Sequence, residues 1–376
     1  MRVLTLSLDP QILNDQSVVA SRCVRYGTVL DTYTAIVPTT ESKKVSLSSN
    51  VVVYGTGGSH KLIQLWNMYR IARLCIKKES CNVISSQDTY FLGLLAWILA
   101  RSCHIGFEVQ VLGIEKLNYV RRVLSYFVLA RAGSIRVLSE GLQRRLIDEF
   151  KIDSSKMLLV PIYVDVSSLG LGTGLPTQEL TDANTVFNEM YSERFNIVSV
   201  NRLVPIKNIS MQLGAIAELS KEFPDVLLHV VGNGPLQETL EKEIVNLKIE
   251  KNVILEGFKS GIDLSPFFTQ SDCFVLTSDF EGYGMVVIEA ATAGLPIVMT
   301  DVGCAGEVIV NEKSGMIVPA KDTQAFIQAL RKVRTDSALR ASLREEAKHS
   351  IAELPSFETI LEKYTASWKQ ALQNRY

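Results

Sequence analysis

Short apolar runs alternate with segments of helical periodicity along most of the chain. In the first half, such runs predict buried strands near residues 3–6, 34–37, 51–54, 82–85, 108–112, 135–138 and 157–161. The segments between them carry apolar residues at three- and four-residue spacing, which is typical of helices packed on a sheet. The pattern therefore predicts a first α/β domain over residues 1–165, with a parallel sheet covered by helices.

The alternation stops after Pro161, in the stretch SSLGLGTGLPTQELTDANT, where small and polar residues predict a linker or loop over residues 166–194. It resumes in a second domain, residues 195–355, with apolar strands in the segments FNIVSV, VLLHVVG, NVILEGF, DCFVLTS, LPIVMT and GMIVP. We therefore expect an α/β protein with two tandem Rossmann-like domains and a cleft between them.

Two carboxylates, Glu281 and Glu289, interrupt the nearly apolar stretch DFEGYGMVVIEAATAGLPIV. The pattern places Glu281 in a turn after a strand and Glu289 inside a helix over residues 285–293. For Glu281, a favourable contact with the helix dipole explains the charge as well as a ligand does. The neighbours of Glu289 at helical spacing are apolar or small, so an unpartnered carboxylate there would cost several kcal/mol. We expect Glu289 to have a ligand or a fixed internal partner.

The composition and charge of the chain argue against several classes of protein. Of the 376 residues, 47% are hydrophobic and 21% charged, and the net charge of -1 gives no general attraction to nucleic acid. No apolar run is long enough to span a bilayer. In the start MRVLTLSLDPQ, polar residues appear too early for a signal peptide. The six cysteines form no C-x-x-C pair and the four histidines are scattered, so we expect a reduced, cytoplasmic chain without a metal site.

Polar and small residues follow the predicted strands of the second domain, at the edge where open α/β sheets bind ligands. In chain order they are Asn201, Arg202 and Lys207, then Gly232 and Asn233, then Gly257 and Phe258, and finally Ser278, Glu281, Gly282, Tyr283 and Gly284. Cationic side chains neutralise phosphate oxygens, glycines admit backbone N–H groups, and carboxylates accept hydrogen bonds from sugar hydroxyls. The set predicts a pocket for a ligand with phosphates and a diol.

Five segments of the second domain resemble a known family. They are SVNRLVPIKN, VVGNGPLQETLE, VILEGF, SDFEGYGMVVIEAATAGLPIV and GEVIVNEKSGMIVP. In this order and spacing they resemble the donor-binding domain of family 4 (group 1) retaining glycosyltransferases of the GT-B fold, whose E-x7-E motif matches Glu281 and Glu289. In the first domain, VISSQDTYFLGLLAWILA and ARAGSIRVLSEGLQRRL resemble the family's acceptor-binding segments. By the same analogy, a last helix at residues 356–376 packs back on the first domain.

The resemblance implies a role for each residue of the pocket. Glu289 would hold the ribose hydroxyls of a nucleotide-sugar, and Glu281 with the backbone of residues 282–284 would hold the donor sugar and its phosphate. Arg202 and Lys207 would neutralise the diphosphate and stabilise it as the leaving group. Gly232 and Asn233 would form a turn beside the nucleotide, and Gly257 and Phe258 would border the base.

The implied reaction is transfer of a sugar from a nucleotide-diphosphate sugar to a glycan, a lipid-linked acceptor or a small molecule, with retention of configuration. No D-x-D sequence is present to hold a metal, and no cofactor beyond the donor substrate is expected. Two alternatives stay open: a nucleotide-sugar epimerase of the same two-domain plan, and a non-catalytic, two-lobed nucleotide-binding protein. An NAD-dependent oxidoreductase is disfavoured because no G-x-G-x-x-G follows an early strand.

The first domain departs from the family at two places. The first strand is followed by SLDPQILNDQ instead of a glycine-rich loop, and Leu112 and Gly113 stand where many relatives carry a histidine. His104 lies too far upstream to replace that histidine. The remaining candidates for an acceptor-side contribution are Asp88, Gln110, Gly113 and Glu115.

Two further segments allow a plain and a functional interpretation. The sequence GTGGSH, residues 55–60, predicts a strand-to-helix turn, with a contact to an acceptor or phosphate as the alternative. The sequence KLNYVRRVLSYFVLAR, residues 116–131, predicts a helix with one face on the sheet. Its tyrosines and arginines also suit contact with an anionic surface, which would place the protein peripherally on the cytoplasmic face of a membrane.

Overall fold

The computed structural model describes residues 1–114, 118–165 and 178–375. The chain divides into two compact units, one formed by residues 1–161 together with 356–376 and the other by residues 162–355. Each unit contains one sheet and its own apolar core.

The first unit contains an eight-stranded sheet. Its strands are β1 (Arg2–Leu6), β2 (Thr32–Val37), β3 (Ser42–Ser48), β4 (Val51–Thr56), β5 (Val83–Ser86), β6 (Gly106–Val111), β7 (Ser134–Val137) and β8 (Met157–Leu159). They lie side by side in the order β3-β4-β2-β1-β5-β6-β7-β8. The seven strands predicted from apolar runs are all present and pair in parallel.

Strand β3 corrects the prediction of an all-parallel first sheet. It pairs antiparallel with β4 at the edge of the sheet, with Ser42 opposite Thr56. Its sequence, SKKVSLS, is exposed or only half-buried throughout and so lacks the apolar run by which strands are found. An edge strand is bonded on one side only and tolerates charged residues such as Lys43 and Lys44.

Helices cover both faces of this sheet. They are α1 (Val18–Gly27), α2 (Lys61–Glu79), α3 (Phe91–Cys103), α4 (Tyr119–Arg131) and α5 (Glu140–Phe150). Helices α2 to α5 share one apolar core, and α1 contributes to a second core. Three of them begin where a polar side chain accepts a hydrogen bond from a first-turn N–H group: Ser17 before α1, Asn118 before α4 and Ser139 before α5.

The second unit contains a six-stranded parallel sheet. Its strands are β9 (Phe195–Val200), β10 (Val226–Val231), β11 (Val253–Gly257), β12 (Cys273–Leu276), β13 (Ile297–Thr300) and β14 (Met316–Val318). Its helices are α6 (Gln178–Tyr191), α7 (Ile209–Glu222), α8 (Gln237–Leu247), α9 (Ser265–Thr269), α10 (Met285–Thr292), α11 (Thr323–Thr335) and α12 (Ser337–Ala352). The strand order is β11-β10-β9-β12-β13-β14.

Helix α6 lies in the segment that the sequence assigned to a linker over residues 166–194. Residues 166–177 are outside the described residues, but 178–191 are helical. Phe187 and Tyr191 of this helix pack against the imidazole of His229 on β10, with ring centroids 5.2 and 4.8 Å from it. These ring contacts stabilise α6. The largely polar sequence of the segment gave no sign of them, which is why no helix was predicted there.

In both sheets the strand order reverses beside the first strand of the unit. In the second sheet, β10 and β11 extend to one side of β9, and β12, β13 and β14 extend to the other. In the first sheet the reversal lies between β1 and β5. Open α/β sheets bind ligands at the carboxyl ends of the strands at such a point. The loops that follow β9 and β12 are therefore the first place to look for a site in the second unit.

The last helix, α13 (Phe357–Gln373), packs on the sheet of the first unit around a buried ion pair. Glu108 of β6 and Arg136 of β7 are both buried, with Arg136 Nη2 3.6 Å from Glu108 Oε2. Ser367 Oγ donates to one carboxylate oxygen of Glu108, and Trp368 Nε1 donates to the other at 3.1 Å. The ring of Tyr364 lies 3.7 Å from the Arg136 guanidinium carbon. Helix α13 thus completes a polar cluster whose other members lie more than two hundred residues earlier.

Candidate functional site

The centre of the candidate site lies where the strand order reverses in the second sheet. Lys207 ends the short 3-10 turn Pro205–Lys207 after β9, and Glu281 lies in the loop after β12. The Nζ of Lys207 contacts Oε1 of Glu281, although the two residues are 74 positions apart. Ser278 Oγ donates to the same carboxylate oxygen at 2.7 Å. The structure therefore brings together a cation and a carboxylate that the sequence assigned to one pocket.

Backbone and side-chain hydrogen bonds hold the two loops against each other. Thr277 Oγ1 donates to the carbonyl oxygens of Lys207 and Asn208, at 3.1 and 3.0 Å. Asn208 Nδ2 donates to Asp279 Oδ1 at 3.1 Å, and the Asp279 N–H donates to the carbonyl of Ile206 at 2.8 Å. Lys207 is thus positioned by its backbone as well as by its contact with Glu281.

Arg202 is the second cation at this edge. It lies two residues after the end of β9, and its side chain is exposed. Among the described residues, no hydrogen bond or ion pair reaches its guanidinium. Arg202 therefore presents an uncompensated positive charge at the carboxyl end of the strand, where an anionic ligand would meet it.

Glu289 is half-buried on α10, between one and two turns from the start of the helix. Among the described residues, none forms a hydrogen bond or an ion pair with its carboxylate. Burial raises the pKa of Glu289 above its ordinary value, and no nearby cation opposes the shift. Of the two explanations considered from the sequence, a fixed internal partner is thus absent from the described part of the chain.

Close backbone contacts explain the glycine of the turn after β10. Gly232 has φ +137°, and a Cβ at this position would lie 1.8 Å from the carbonyl oxygen of Asn201. The Gly232 N–H donates to the carbonyl of Gly257 at 2.8 Å, and the Leu203 N–H donates to that of Asn233 at 2.8 Å. The segments that follow β9, β10 and β11 therefore touch through their backbones. Phe258 extends from the last of them with 69% of its surface exposed.

The turn at residues 282–284 rests on a loop that the sequence analysis missed. Tyr283 is buried, and its carbonyl accepts a hydrogen bond from the N–H of Cys304 at 2.8 Å. A Cβ on Gly303 would lie 2.5 Å from that carbonyl oxygen and 3.0 Å from Cβ of Glu281. Gly284 has φ +85° and is the N-cap residue that precedes α10. The signal for the supporting loop was the glycine-rich sequence DVGCAGE after the strand LPIVMT.

The structure gives two acceptor-side candidates of the first unit a supporting role. Asp88 Oδ1 accepts hydrogen bonds from the N–H groups of Tyr90, Leu92 and Gly93, at 2.9, 2.9 and 3.1 Å, and so caps the start of α3. Burial raises the pKa of Asp88 above its ordinary value, although these three bonds oppose the shift. Gln110 is buried, and its Nε2 donates to Ser85 Oγ at 2.8 Å.

The other residues considered in the first unit are Gly113, Glu115 and His104. Gly113 is half-buried in the loop after β6, and Glu115 lies outside the described residues. His104 is exposed and ends α3 with φ +53°, so it precedes β6 and lies at the opposite end of that strand from Gly113. The structure does not bring His104 to the carboxyl edge of the sheet.

The donor-side candidates fall within one stretch that matches a known family. Residues 182–350 match the family model described as glycosyl transferases group 1. The match lies within the second unit. It covers less than half of the chain but includes each donor-side residue from Arg202 to Glu289.

Curated relatives match different shares of this chain. The GDP-mannose-dependent alpha-(1-6)-phosphatidylinositol monomannoside mannosyltransferase of Mycolicibacterium smegmatis is 29% identical over 45% of this chain and 46% of its own length. The poly(glycerol-phosphate) alpha-glucosyltransferase of Bacillus subtilis is 27% identical over 49% of this chain and 27% of its own length. The capsular polysaccharide biosynthesis glycosyltransferase CapM of Staphylococcus aureus is 24% identical over 80% of both chains. For the first two, the matched part is thus half or less of the relative.

Solved structures match the whole chain. The sucrose-phosphate synthase from Thermosynechococcus elongatus aligns with a TM-score of 0.82 and 16% identity, and covers 99% of both chains. HepE of Anabaena in complex with UDP and glucose aligns with a TM-score of 0.77 and 16% identity, over 98% of this chain and 99% of that one. At this identity the likeness is one of fold, and the fold is the GT-B architecture expected from the sequence.

Three further properties of the described part of the chain bear on metal binding, membrane spanning and thiol chemistry. It contains no group of three or more His, Cys, Asp or Glu side chains arranged to hold a metal ion. Within the same residues, no helix combines the length and the apolar character needed to cross a bilayer. All six cysteines are free thiols, and five of them are buried.

Proposed function

We propose that the protein is a glycosyltransferase. It would transfer a sugar from a nucleotide-diphosphate sugar to a hydroxyl of a glycan, a lipid-linked acceptor or a small molecule, with retention of configuration and without a metal ion. One observation carries the proposal: Arg202, Lys207, Glu281 and Glu289 follow neighbouring strands at the carboxyl edge of one sheet, inside the stretch that matches the group 1 family.

The contact between Lys207 and Glu281 restricts the ligand. Its cation and carboxylate are hydrogen-bonded neighbours, so the phosphate and the hydroxyl that they would bind must also be neighbours within one molecule. A nucleotide-sugar has this arrangement, because its sugar ring is joined directly to the diphosphate. The diphosphate would draw on Lys207 and Arg202, and a sugar hydroxyl would donate to Glu281.

Catalysis in this site would consist of positioning and charge stabilisation. The bond between the anomeric carbon and the phosphate oxygen breaks, and its electron pair stays on the departing diphosphate. Lys207 and the exposed Arg202 would stabilise that negative charge. The acceptor hydroxyl forms the new bond on the same face of the sugar and passes its proton to the departing phosphate oxygen. The catalytic residues of the proposal are therefore Glu281, Arg202 and Lys207.

The rest of the nucleotide would lie along the neighbouring strands. The half-buried Glu289 would accept hydrogen bonds from the ribose diol, which supplies the partner that its carboxylate does not find among the described residues. The turn of Gly232 and Asn233 would lie beside the nucleotide, and it requires a glycine because a Cβ at 232 would lie 1.8 Å from the carbonyl oxygen of Asn201. Gly257 and the exposed ring of Phe258 would border the base.

We also propose that the first unit rests on an anionic membrane surface, with the protein on its cytoplasmic side. Helix α4 buries Ser125, Val128 and Leu129, while Tyr119 and Val120 are 82% and 61% exposed. The helix carries three arginines and no acidic residue. Arg121 lies over the ring of Tyr90, and its charge is thus held beside exposed apolar surface. Lys116, at the start of the predicted stretch, lies outside the described residues.

The test begins with nucleotide binding. Thermal shifts against UDP, GDP and their sugars should identify one stabilising class, because a ligand at a hundred times its dissociation constant adds about 2.7 kcal/mol. Lys207→Gln and Arg202→Gln should weaken that binding. Lys221→Gln is the matched control, since Lys221 is exposed at the far end of α7 and pairs with Glu218.

Product analysis then separates transfer from epimerisation, since only transfer forms a new glycosidic bond to the acceptor. NMR of the product should show the anomeric configuration of the donor, and activity should persist in EDTA. Failure of every nucleotide to bind would overturn the proposal as a whole. An inverted product, or activity lost in EDTA and restored by manganese, would overturn its mechanistic part.

A further inference from the structure

A cavity of about 490 Å³, open to solvent, lies in the first unit, where the β3–β4 hairpin meets α2. Its polar wall includes Thr40, Ser42, Asn67 and Arg70, and its apolar wall is formed by Ile71 and Leu74. All of these residues belong to the first unit, and none has a part in the proposed donor site. The volume is within the range of small-molecule sites.

The shape of the cavity depends on the edge strand β3 and on a glycine turn. Gly57 and Gly58 have φ of +68° and +124° and carry the chain from β4 into α2. A Cβ on Gly58 would lie 2.9 Å from Cγ2 of Ile63, so the turn packs closely on the helix. Asn67 Nδ2 donates to the carbonyl of Gly57 at 3.1 Å and ties the turn to α2. The plain interpretation of GTGGSH as a turn therefore holds, and the turn forms one wall of a cavity.

Four polar groups on the wall have unused hydrogen-bonding capacity. Within residues 1–114, 118–165 and 178–375, no hydrogen bond or ion pair reaches the Arg70 guanidinium, and none reaches the hydroxyls of Thr40 or Ser42. The Oδ1 of Asn67 is likewise unbonded within these residues, since only its Nδ2 is used. The cavity thus offers a forked cation, two hydroxyls and an amide oxygen to one ligand.

The electrostatic environment favours a negative group. Among the residues that the structure describes, no acidic side chain lines the cavity. Helix α2 carries five cationic residues, Lys61, Arg70, Arg73, Lys77 and Lys78, against the single acid Glu79. A guanidinium with free N–H groups binds carboxylate or phosphate oxygens in pairs.

We propose that this cavity binds an acidic sugar, that is, a sugar ring carrying a carboxylate or a phosphate group. Arg70 binds the anionic group. The hydroxyls of Thr40 and Ser42 and the amide oxygen of Asn67 exchange hydrogen bonds with ring hydroxyls. The C–H face of the ring packs on Ile71 and Leu74, which lie about one turn apart on α2.

The test uses the full chain and ligand-detected NMR titrations with glucuronate, glucose 6-phosphate, glucose and inorganic phosphate. At least one acidic sugar should bind about tenfold more tightly than glucose and than phosphate, because only it satisfies both the cation and the hydroxyl groups. Arg70→Gln should weaken that binding about tenfold or more. Arg73→Gln is the matched control, since Arg73 is exposed on the same helix, bonds Tyr69 and does not line the cavity.

A second variant keeps the test independent of Arg70. Leu74 is 65% exposed, so Leu74→Glu should fold, and its carboxylate should weaken the acidic sugar more than glucose. The proposal is overturned if no sugar binds, if glucose binds as well as the acidic sugars, if phosphate alone accounts for binding, or if Arg73→Gln matches Arg70→Gln. Nucleotide titrations of the same samples report separately on the second unit, so failure of the proposed transferase function is distinguishable.

Discussion

At the residue scale, the half-buried carboxylate of Glu289 has no hydrogen-bond or ion-pair partner among the described residues. A carboxylate on an apolar helix either pairs internally or accepts hydrogen bonds from a bound molecule. The described residues offer no internal pair, and burial alone raises its pKa. The two explanations predict opposite consequences for the same substitution.

Glu289→Gln keeps the shape of the side chain but removes its charge. If the carboxylate binds a ribose diol, the lost charge-assisted hydrogen bonds are worth about 1.5–3 kcal/mol, so nucleotide affinity should fall about ten- to a hundredfold. Calorimetric titration measures the change, with Glu250→Gln on the exposed surface as the control. Unchanged affinity together with a loss of about 3–5 kcal/mol in the free energy of unfolding would identify a structural ion pair instead.

The same substitution should change how stability depends on pH. The pKa of Glu289 in the folded protein lies above the ordinary 4.5, so the folded state keeps a proton that the unfolded chain has lost. Its contribution to the free energy of unfolding therefore falls as pH rises from 4.5 through the raised pKa. Glu289→Gln should gain stability relative to the parent over this window and not below it. Urea melts at a series of pH values measure the difference, and a gain confined to low pH would contradict the assignment.

Asp88 illustrates a polar residue whose role is set by backbone contacts. Asp88→Ala removes three acceptor contacts at the start of α3 and should cost about 1–2 kcal/mol of stability. Asp88→Asn keeps the acceptor oxygen and should recover most of this loss. Denaturant melts measure both variants. A fall in transfer rate for Asp88→Asn without any loss of stability would restore Asp88 as an acceptor-side residue.

At the element scale, the buried cluster of Glu108 and Arg136 explains why α13 is attached to a sheet formed far earlier in the sequence. Ser367, Trp368 and Tyr364 all contact one of the two charges. The hydrogen bonds of Ser367 and Trp368 satisfy the buried carboxylate of Glu108, which would otherwise be costly. Helix α13 is in this respect part of the core of the first unit.

Glu108→Gln should leave the Arg136 charge buried without a counterion and cost about 3–5 kcal/mol. The double variant Glu108→Gln with Arg136→Met removes both charges and should recover much of that loss. Denaturant melts of the single and double variants give the coupling energy. Nucleotide affinity serves as the control, since the donor-side residues lie in the second unit. Additive losses in the double variant would contradict a coupled pair.

At the scale of the whole molecule, the charge distribution is informative although the net charge is only -1. Helix α4 combines cations with exposed apolar residues and contains no acid. On an anionic surface each basic residue adds about 1 kcal/mol, and salt screens the attraction. Association with a membrane surface would therefore be peripheral and sensitive to ionic strength.

Arg121→Glu with Arg122→Glu should abolish pelleting with vesicles that contain anionic lipid at low salt. The control pair, Lys248→Glu with Lys251→Glu, makes the same change in net charge on the exposed surface of the second unit and should still pellet. Thermal melts of both pairs verify folding. If the parent protein does not pellet with anionic vesicles, or if both pairs lose binding equally, the membrane proposal fails.

The local sequence pattern was sufficient to predict the apolar strands, their alternation with helices and the sheet edge that holds the candidate site. Apolar runs such as FNIVSV mark buried strands wherever they occur, and the carboxyl ends of parallel strands meet at one edge in any such fold. Arg202, Lys207 and Glu281 could be grouped on that basis alone. The polar strand β3 carried no such signal, because an edge strand need not be apolar.

The tertiary structure decided which of those residues touch, because neighbours in a sheet need not be neighbours in sequence. Strand β12 lies beside β9 instead of beside β11, and this crossover alone brings Glu281 to Lys207 across 74 residues. The approach of Gly303 to Tyr283 likewise depends on packing between loops that local periodicity does not encode. The sequence by itself determined the set of side chains at the edge of the sheet, and the strand order determined their pairing.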